Sequence, residues 1–483
     1  MYGSKPLHSA IGRFTSGEKL TTAYRQPPEA CRPGFHGSIR TRKVLAVAAV
    51  AAMVLTGCST KPASPGASGT SPGTSGTSGG GGSSAQGVTA TSIRVGITYV
   101  DFAAISKTIK LTQGSFPDAY NALINDINAK GGIDGRKIIP YFAPVDPIGT
   151  APAAAACTQL TEDDHVFVAL GFFQNTDPLC YLDTHGVNII GADDSQLSAA
   201  QQAAEKATWF DAQLTSTEAV PKEIDAFYHD GLFAGRKVAV LGTTTDVSQI
   251  NTLVLPELKK LGVPVVQTAV NDAPPNDTAA ANQQTQIIVQ KLQSEGVNLV
   301  VGVGNASAFP QGLQQINSSY HPRLLATNLG VLNGVLGNQN GLDLSRLTGT
   351  VAGSGAPADL IGVSAPIWND PLVQNCVAEI KAAFPADTMA DPATATSSTG
   401  HTWVAPESAC QGIALLEAIL KAAGKNLNNQ TFLTGGESLK NIVLPGSLGP
   451  LNYGPGHHDG NGPVFIYTWD PASKSFKLTP TSA

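Results

Sequence analysis

Asn121 to Ile138 reads NALINDINAKGGIDGRKI, and its two halves obey different periods. Leu123, Ile124 and Ile127 continue a helical repeat begun by Phe116 and Tyr120, so an amphipathic helix is predicted over Phe116 to Ala129. Gly131 and Gly132 end it, and Lys137 to Phe142 resumes as a strand. Upstream, Ser92 to Tyr99 (SIRVGITY) is β-branched, apolar and bounded by polar loops, so it also reads as a strand. Strand, helix and strand in that order make a βαβ unit on a parallel sheet.

The alternation continues outward from this unit. A helix over Thr150 to Thr161 and strands at Val166 to Gly171 and Val187 to Gly191 complete a first run. After Phe210 a second run begins with helix Thr217 to Gly231, strand Lys237 to Gly242, helix Asn251 to Leu261 and strand Val263 to Thr268. Helix Asn282 to Glu295, strand Val297 to Val303, helix Phe309 to Ile316 and strand Arg323 to Thr327 follow. The fold class is therefore α/β, with two doubly wound parallel-sheet lobes. No period of 20 to 50 residues is present, which excludes a solenoid.

The region before Ser92 has a different character. Val44 to Leu55 (VLAVAAVAAMVL) is uncharged and apolar, with Arg40, Arg42 and Lys43 ahead of it and Thr56, Gly57 and Cys58 behind. Its helical length of about 18 Å falls short of a hydrocarbon core of about 30 Å, so it reads as a secretion signal rather than a membrane span. Leu55-Thr56-Gly57-Cys58 resembles the lipobox of bacterial lipoproteins. That resemblance implies cleavage before Cys58, acylation of its sulfur and anchoring in the lipid bilayer; two or more acyl chains give stable attachment. Met1 to Ile39 would form an unusually long basic region, which suggests that translation starts nearer Arg40; precursor peptides from Leu7 to Arg25 would contradict that. Ser59 to about Gly87 is almost wholly Ser, Gly, Thr, Pro and Ala, the composition of a flexible tether.

Charge sharpens the partition. The 483 residues carry 30 Lys and Arg against 36 Asp and Glu, a net −6. Residues 1–57 hold eight of the basic and two of the acidic side chains, so the mature chain keeps 22 against 34 and carries −12. That balance argues against a nucleic-acid partner. Catalytic signatures are missing: GVGNAS (Gly302 to Ser307) lacks the glycine and lysine of nucleotide loops, and neither GxSxG nor HExxH occurs. No enzyme activity, cofactor or metal is expected. His457, His458 and Asp459 form the one histidine cluster, read here as a solvated loop. Apart from Cys31 and Cys58, four cysteines remain, which allow three pairings, and an exported setting favours bridges over free thiols.

Four stretches together carry a family resemblance. NALINDINAKGGIDGRKI, GRKVAVLG (Gly235 to Gly242), LGPLNYG (Leu448 to Gly454) and FIYTWDPASKSF (Phe465 to Phe476) resemble, in order and spacing, the leucine/isoleucine/valine-binding family of type I periplasmic solute-binding proteins. The resemblance implies two lobes joined by a multi-segment hinge, with crossings near Phe210 to Leu214, Val351 to Gly355 and Asn452 to Pro463. The expected organisation is a signal segment over 1–57, the lipidated cysteine and linker over 58–87, lobe one over 88–211 and 354–452, and lobe two over 212–353 and 453–483. Within this frame Cys157 is paired with Cys180, as a bridge is in some family members, and Cys376 with Cys410.

Ligands of open α/β sheets bind beyond the carboxyl ends of the strands. Those positions hold Tyr99, Asp101 and Phe102, then Phe172, Phe173, Gln174 and Asn175, then Asp193, Asp194 and Ser195 in lobe one. In lobe two they hold Thr245, Asp246, Asn305 and Asn328. By the resemblance, Ser195 falls where a threonine holds the ligand carboxylate and Gln174 where a serine shares that task. Asn328 stands where the family's acidic partner of the ligand ammonium is usual, and Val247 where a tyrosine is usual. A polar or amide-like solute is therefore as compatible as a branched-chain amino acid. The implied function is a lipid-anchored, extracytoplasmic solute-binding protein of an ABC importer. It would be a monomer that delivers a small polar organic solute to the permease subunits. The alternative is the same clam-shell acting as a ligand sensor for a membrane signalling partner.

Overall fold

The computed structural model describes residues 85–479, except 105–111, 148–149, 175, 192–205, 275–276, 338–341, 362–364, 397, 448 and 461. The signal segment, Cys58 and the tether up to residue 84 lie outside the described residues, whereas Gln86 at its end is held by the Thr161 carbonyl at 3.1 Å. No described helix is long and apolar enough to cross a membrane.

Helix α1 (Phe116–Ala129) starts at Ser115, whose hydroxyl accepts the Asp118 N–H at 3.3 Å, and it buries Tyr120, Leu123, Ile124 and Ile127. The segment after it is tied down residue by residue. The Asn128 side chain accepts the Ile138 N–H and donates to the Ile138 carbonyl, both at 2.8 Å. A helix side chain thus serves as the neighbouring strand at the start of β2 (Lys137–Val145). The Arg136 guanidinium donates to the carbonyls of Thr89 and Lys425, at 2.8 and 2.7 Å. These contacts fix α1 and β2 against β1 (Ser92–Val100), to which β2 pairs in parallel.

β3 (Val168–Gly171), β4 (Asn188–Ile190) and β5 (Trp209–Phe210) complete a five-stranded parallel sheet of order β2-β1-β3-β4-β5. β2 is an edge strand, which accommodates Pro140. The second run repeats the plan. β6 (Val238–Thr243), β7 (Val265–Asn271), β8 (Leu299–Gly302), β9 (Arg323–Ala326) and β10 (Val351–Ser354) pair in parallel in the order β7-β6-β8-β9-β10. Both sheets are therefore doubly wound, with their order reversing beside β1 and beside β6. Successive strand residues feed opposite faces: Val168 and Leu170 join one core cluster and Ala169 another, as Val300 and Val301 do in the second sheet. Faces covered on both sides explain the near-continuous apolar strands.

Helices α2 (Ala151–Thr158), α3 (Ser216–His229), α4 (Leu255–Lys260), α5 (Thr278–Ser294), α6 (Phe309–Gln315) and α7 (Leu329–Gly337) lie between the strands. After β10 the chain returns to the first sheet. α8 (Pro371–Ala383), α9 (Val404–Ala423) and α10 (Asn429–Glu437) contribute Ile380, Ile413, Leu416 and Phe432 to the core that holds Ile93, Val95 and Val168. A short ladder of β11 (Ile442–Val443) and β12 (Pro450–Leu451) follows. The chain then ends in β13 (Phe465–Asp470) and β14 (Ser475–Thr479), an antiparallel hairpin added beside β10. The turn at Asp470, whose carboxylate accepts the Ala472 and Ser473 N–H groups, separates the two strands.

Both disulfides form, Cys157–Cys180 and Cys376–Cys410. The segments linking the sheets run side by side. The Asp211 N–H donates to the His458 carbonyl at 2.9 Å and the Gly460 N–H to the Gln213 carbonyl at 3.0 Å. Asp459 accepts both the N–H and the hydroxyl of Thr215 at 3.1 Å, and the Tyr453 hydroxyl donates to the Asp211 carbonyl at 2.8 Å. The histidine cluster is thus not the solvated loop expected. His457 is exposed, but His458 pairs with Glu437 at 3.1 Å and lies against Phe210, while Asp459 is buried. Leu360, past the boundary drawn at residue 354, packs in the core of the larger sheet with Tyr467 and Trp469.

Candidate functional site

A cleft of about 320 Å³ opens at the carboxyl end of β1, beside the reversal of strand order. One wall is the ring of Tyr99, stacked on Phe116 with centroids 5.7 Å apart and planes 21° from parallel. Phe102 and Pro117 extend the apolar surface, and Thr112, Gln113 and Ser115 add polar groups. Burial first, and then the charge of Asp101, push the Tyr99 phenol above its ordinary range. The Asp101 carboxylate accepts the N–H groups of Ala103 and Ala104 at 2.9 and 3.3 Å, so it shapes the loop it stands on. Among the described residues no lysine or arginine lines the cleft, and the first turn of α1 already carries the Ser115 cap and Asp118.

The loop after β3 is held to β1 by Thr98, whose hydroxyl donates to the carbonyls of Leu170 and Phe172 at 3.1 and 2.9 Å. Phe172 is half-buried there. Phe173 is 2% exposed and meets Tyr181 edge-on at 5.2 Å, which makes it a core residue rather than a wall of a site. Gln174 is half-buried, and its N–H donates to Asp177 at 3.2 Å. Asn175, Asp193, Asp194 and Ser195 lie outside the described residues.

In the second sheet, Asp246 was expected at the ligand. It is 1% exposed and fully engaged. One carboxylate oxygen accepts both the N–H and the hydroxyl of Thr243 at 2.7 Å, and the other accepts the Asn305 N–H at 3.4 Å. A further bond comes from the Ala306 N–H. Burial raises the carboxyl's pKa, and these donors oppose the rise. Asp246 therefore pins the loop after β6 to the loop after β8. Gly304 permits the approach: its φ is +52° and a Cβ there would stand 2.3 Å from the Asp246 carboxylate. What this edge offers to solvent is Thr245 and Asn305, joined at 3.2 Å. Asn328 is half-buried and accepts the Val331 N–H at 3.0 Å, capping α7.

Thr112, Gln113, Phe116 and Pro117 were not singled out in the sequence, although a helix start directly beyond the first strand was the available signal. Asp177 was missed as well. Burial pushes its carboxyl up to about 6, against the Gln174 bond that lowers it. The fold thus prefers Asp177 protonated, so the stability it contributes is present below the ordinary aspartate range and is lost as pH rises through about 6. Thermal melts between pH 4 and pH 7 should show a fall in midpoint with rising pH that is shallower in Asp177→Asn; an identical slope would contradict this environment for Asp177.

Residues 108–475 match the model of a family described as periplasmic binding protein. No curated protein matches the sequence. Among solved structures, the chain is similar to a type 1 periplasmic binding protein from Bordetella pertussis, at 16% identity and a TM-score of 0.57, covering 80% of this chain and 100% of that one. It is similar to the branched-chain amino acid transporter substrate-binding protein of Streptococcus pneumoniae in complex with isoleucine, at 15% identity and 0.53, covering 80% and 99%. A fatty acid ABC transporter substrate-binding protein from Thermomonospora curvata aligns at 14% identity and 0.53, covering 82% and 94%. At these identities the likeness speaks to the fold.

Proposed function

The chain belongs to the periplasmic binding protein family, and from that membership we propose that it is the solute-binding component of an ABC importer, exported and anchored through acylated Cys58. It is a binding protein, not an enzyme. The solute is a small organic molecule that places an uncharged apolar or aromatic part against Tyr99 and Phe116 in the first lobe. Its polar part meets the loop after β3, where Gln174 stands, and the Thr245 and Asn305 edge of the second lobe; Ser195 joins this set by the family resemblance alone. The observation that carries this reading is the aromatic cleft at the reversal of strand order, the place where open α/β sheets take ligands. Neighbours that take isoleucine or a fatty acid make amino acids, their amides and short aliphatic or aromatic acids the first compounds to test.

A thermal-shift screen of the mature chain against that set tests the proposal. A true ligand at 100 times its Kd stabilises by about 2.7 kcal/mol. Tyr99→Ala and Ser195→Ala should each weaken that ligand at least about tenfold, since one removes a stacked wall and the other a hydroxyl acceptor or donor. Unchanged affinity in both would move the site elsewhere.

A further inference from the structure

The part of the cleft lined by Thr112 and Gln113 is held by the segment that leads into α9. The His401 N–H donates to the Thr112 carbonyl at 2.8 Å and the Ala405 N–H to the Gln113 carbonyl at 2.9 Å. The two segments also meet at glycines. A Cβ at Gly400 would stand 2.4 Å from the Thr112 side chain, and one at Gly114 would stand 2.8 Å from the Thr402 carbonyl oxygen. Where α9 begins therefore decides where this wall of the cleft stands.

Glu407 is in the first turn of α9 and shares a side-chain hydrogen bond with Asp359. Asp359 lies on the segment that leaves the second sheet. Its neighbour Leu360 packs in that sheet's core, and the Ala358 N–H donates to the Tyr467 hydroxyl at 2.8 Å. Each oxygen of Asp359 already accepts a backbone N–H, from Ile367 at 3.0 Å and from Trp368 at 2.8 Å. Two carboxylates cannot hydrogen-bond without a proton between them, and side by side out of water they do not both ionise. With both its oxygens served by donors, Asp359 is the one that keeps the charge, so the proton sits on Glu407. Glu407 Oε1 is closed to solvent and no donor reaches it among the described residues, so an ionised Glu407 would lose hydration without compensation. Burial first, and then the hydrogen bond and charge of Asp359, push the Glu407 carboxyl well above the ordinary glutamate range.

The groups around the pair leave this proton in place. Asp391 adds negative charge beside Asp359, which opposes a second ionisation. His401, stacked on Trp403 with centroids 4.9 Å apart, is pushed down to about 4 by burial, and the Tyr467 phenol is pushed up to about 12. Both are neutral in the range between. Lys381 of α8 lies over the Trp368 ring, 5.9 Å from its centroid.

We propose that Glu407 is a proton-gated positioning residue of the solute cleft: its proton, held against Asp359, ties the start of α9 to the segment leaving the second sheet, and its loss parts the two carboxylates and slackens the wall of Thr112 and Gln113. The proposal rests on the reading of that cleft as the solute site. The fold favours the protonated Glu407, so the stabilisation is full below the ordinary glutamate range and is lost as pH rises through the raised value. Solute capture should weaken in the same direction.

Hydrogen exchange of the solute-free mature chain, corrected for the intrinsic effect of pH, tests the latch at single amides. Between pH 5 and pH 9 the protection of the His401 and Ala405 N–H groups should fall at least about tenfold, the equivalent of one pKa unit. The Ile189 N–H, bonded to the Thr208 carbonyl, and the Val303 N–H, bonded to the Leu241 carbonyl, are references in the two sheets and should keep their protection. In Glu407→Gln the side-chain amide still donates to Asp359 and cannot ionise, so protection at His401 and Ala405 should stay level. Protection independent of pH in the unsubstituted chain, a fall that persists in Glu407→Gln, or an equal fall at both references would each overturn the proposal. Because exchange is read without solute, a failed latch leaves the cleft reading intact, whereas unchanged solute affinity in Tyr99→Ala would remove the site whatever the exchange shows.

Discussion

Phe210→Ala is expected to lower the free energy of unfolding by about 3–5 kcal/mol, the usual cost of removing a fully buried ring. Phe210 ends β5 where the chain leaves the first sheet, and it is 0% exposed. Its ring is enclosed by Phe432, Tyr453 and His458, with centroids at 6.0, 5.8 and 4.8 Å. The fourth side is the backbone of α10 at Gly436, where a Cβ would stand 2.1 Å from the ring. Gly436→Ala should therefore cost about 1–3 kcal/mol by overpacking. In a Phe210→Ala background the same alanine meets an empty space, so most of its cost should vanish. Urea unfolding of the two single variants and the double variant measures this coupling. Additive costs would mean that the ring and Gly436 do not meet.

Asp246→Ala should have an effect of similar size on the second sheet, about 3 kcal/mol or more, for a different reason. It deletes no large apolar volume but removes the acceptor of the Thr243 N–H and hydroxyl at 2.7 Å and of the Asn305 N–H at 3.4 Å, and a part-buried donor left unpaired costs about 1–3 kcal/mol. Asp246→Asn, which keeps one acceptor oxygen, should fall between the two. Gly304→Ala should reproduce much of the loss, because it forces the same carboxylate away. Melts that leave Asp246→Ala as stable as the unsubstituted chain would remove Asp246 from its role as the post between the loops after β6 and β8.

The fold was largely legible because its elements are long and periodic. The helix expected over Phe116 to Ala129 has those bounds and the strand expected over Ser92 to Tyr99 runs one residue further, to Val100, and parallel order follows from alternation. What escaped was local hydrogen bonding. The π turns at Gln159–Asp163 and Cys180–His185 leave no 3.6-residue signature. Asp246 read as a ligand residue because its place at a strand end was visible and its partners were not. Yet Thr243 and Asp246 stand at the spacing of a capping box, a signal that the carboxylate was already used. The pair Phe172-Phe173 could not say which ring turns inward; packing against Tyr181 decided it. His458 looked solvated because the sequence does not reveal that two chain crossings meet there.

A solute held between two lobes that are joined by several side-by-side segments is expected to draw the lobes together. Dyes on cysteines introduced at Lys425 and Lys259, exposed positions on the first and second lobes, would report it by energy transfer. A compound that raises the melting temperature should bind one per chain and shift the transfer efficiency saturably, with a midpoint at its Kd. In Tyr99→Ala the same shift should require more compound. Saturating, tight binding with no change in transfer between the lobes would contradict the account.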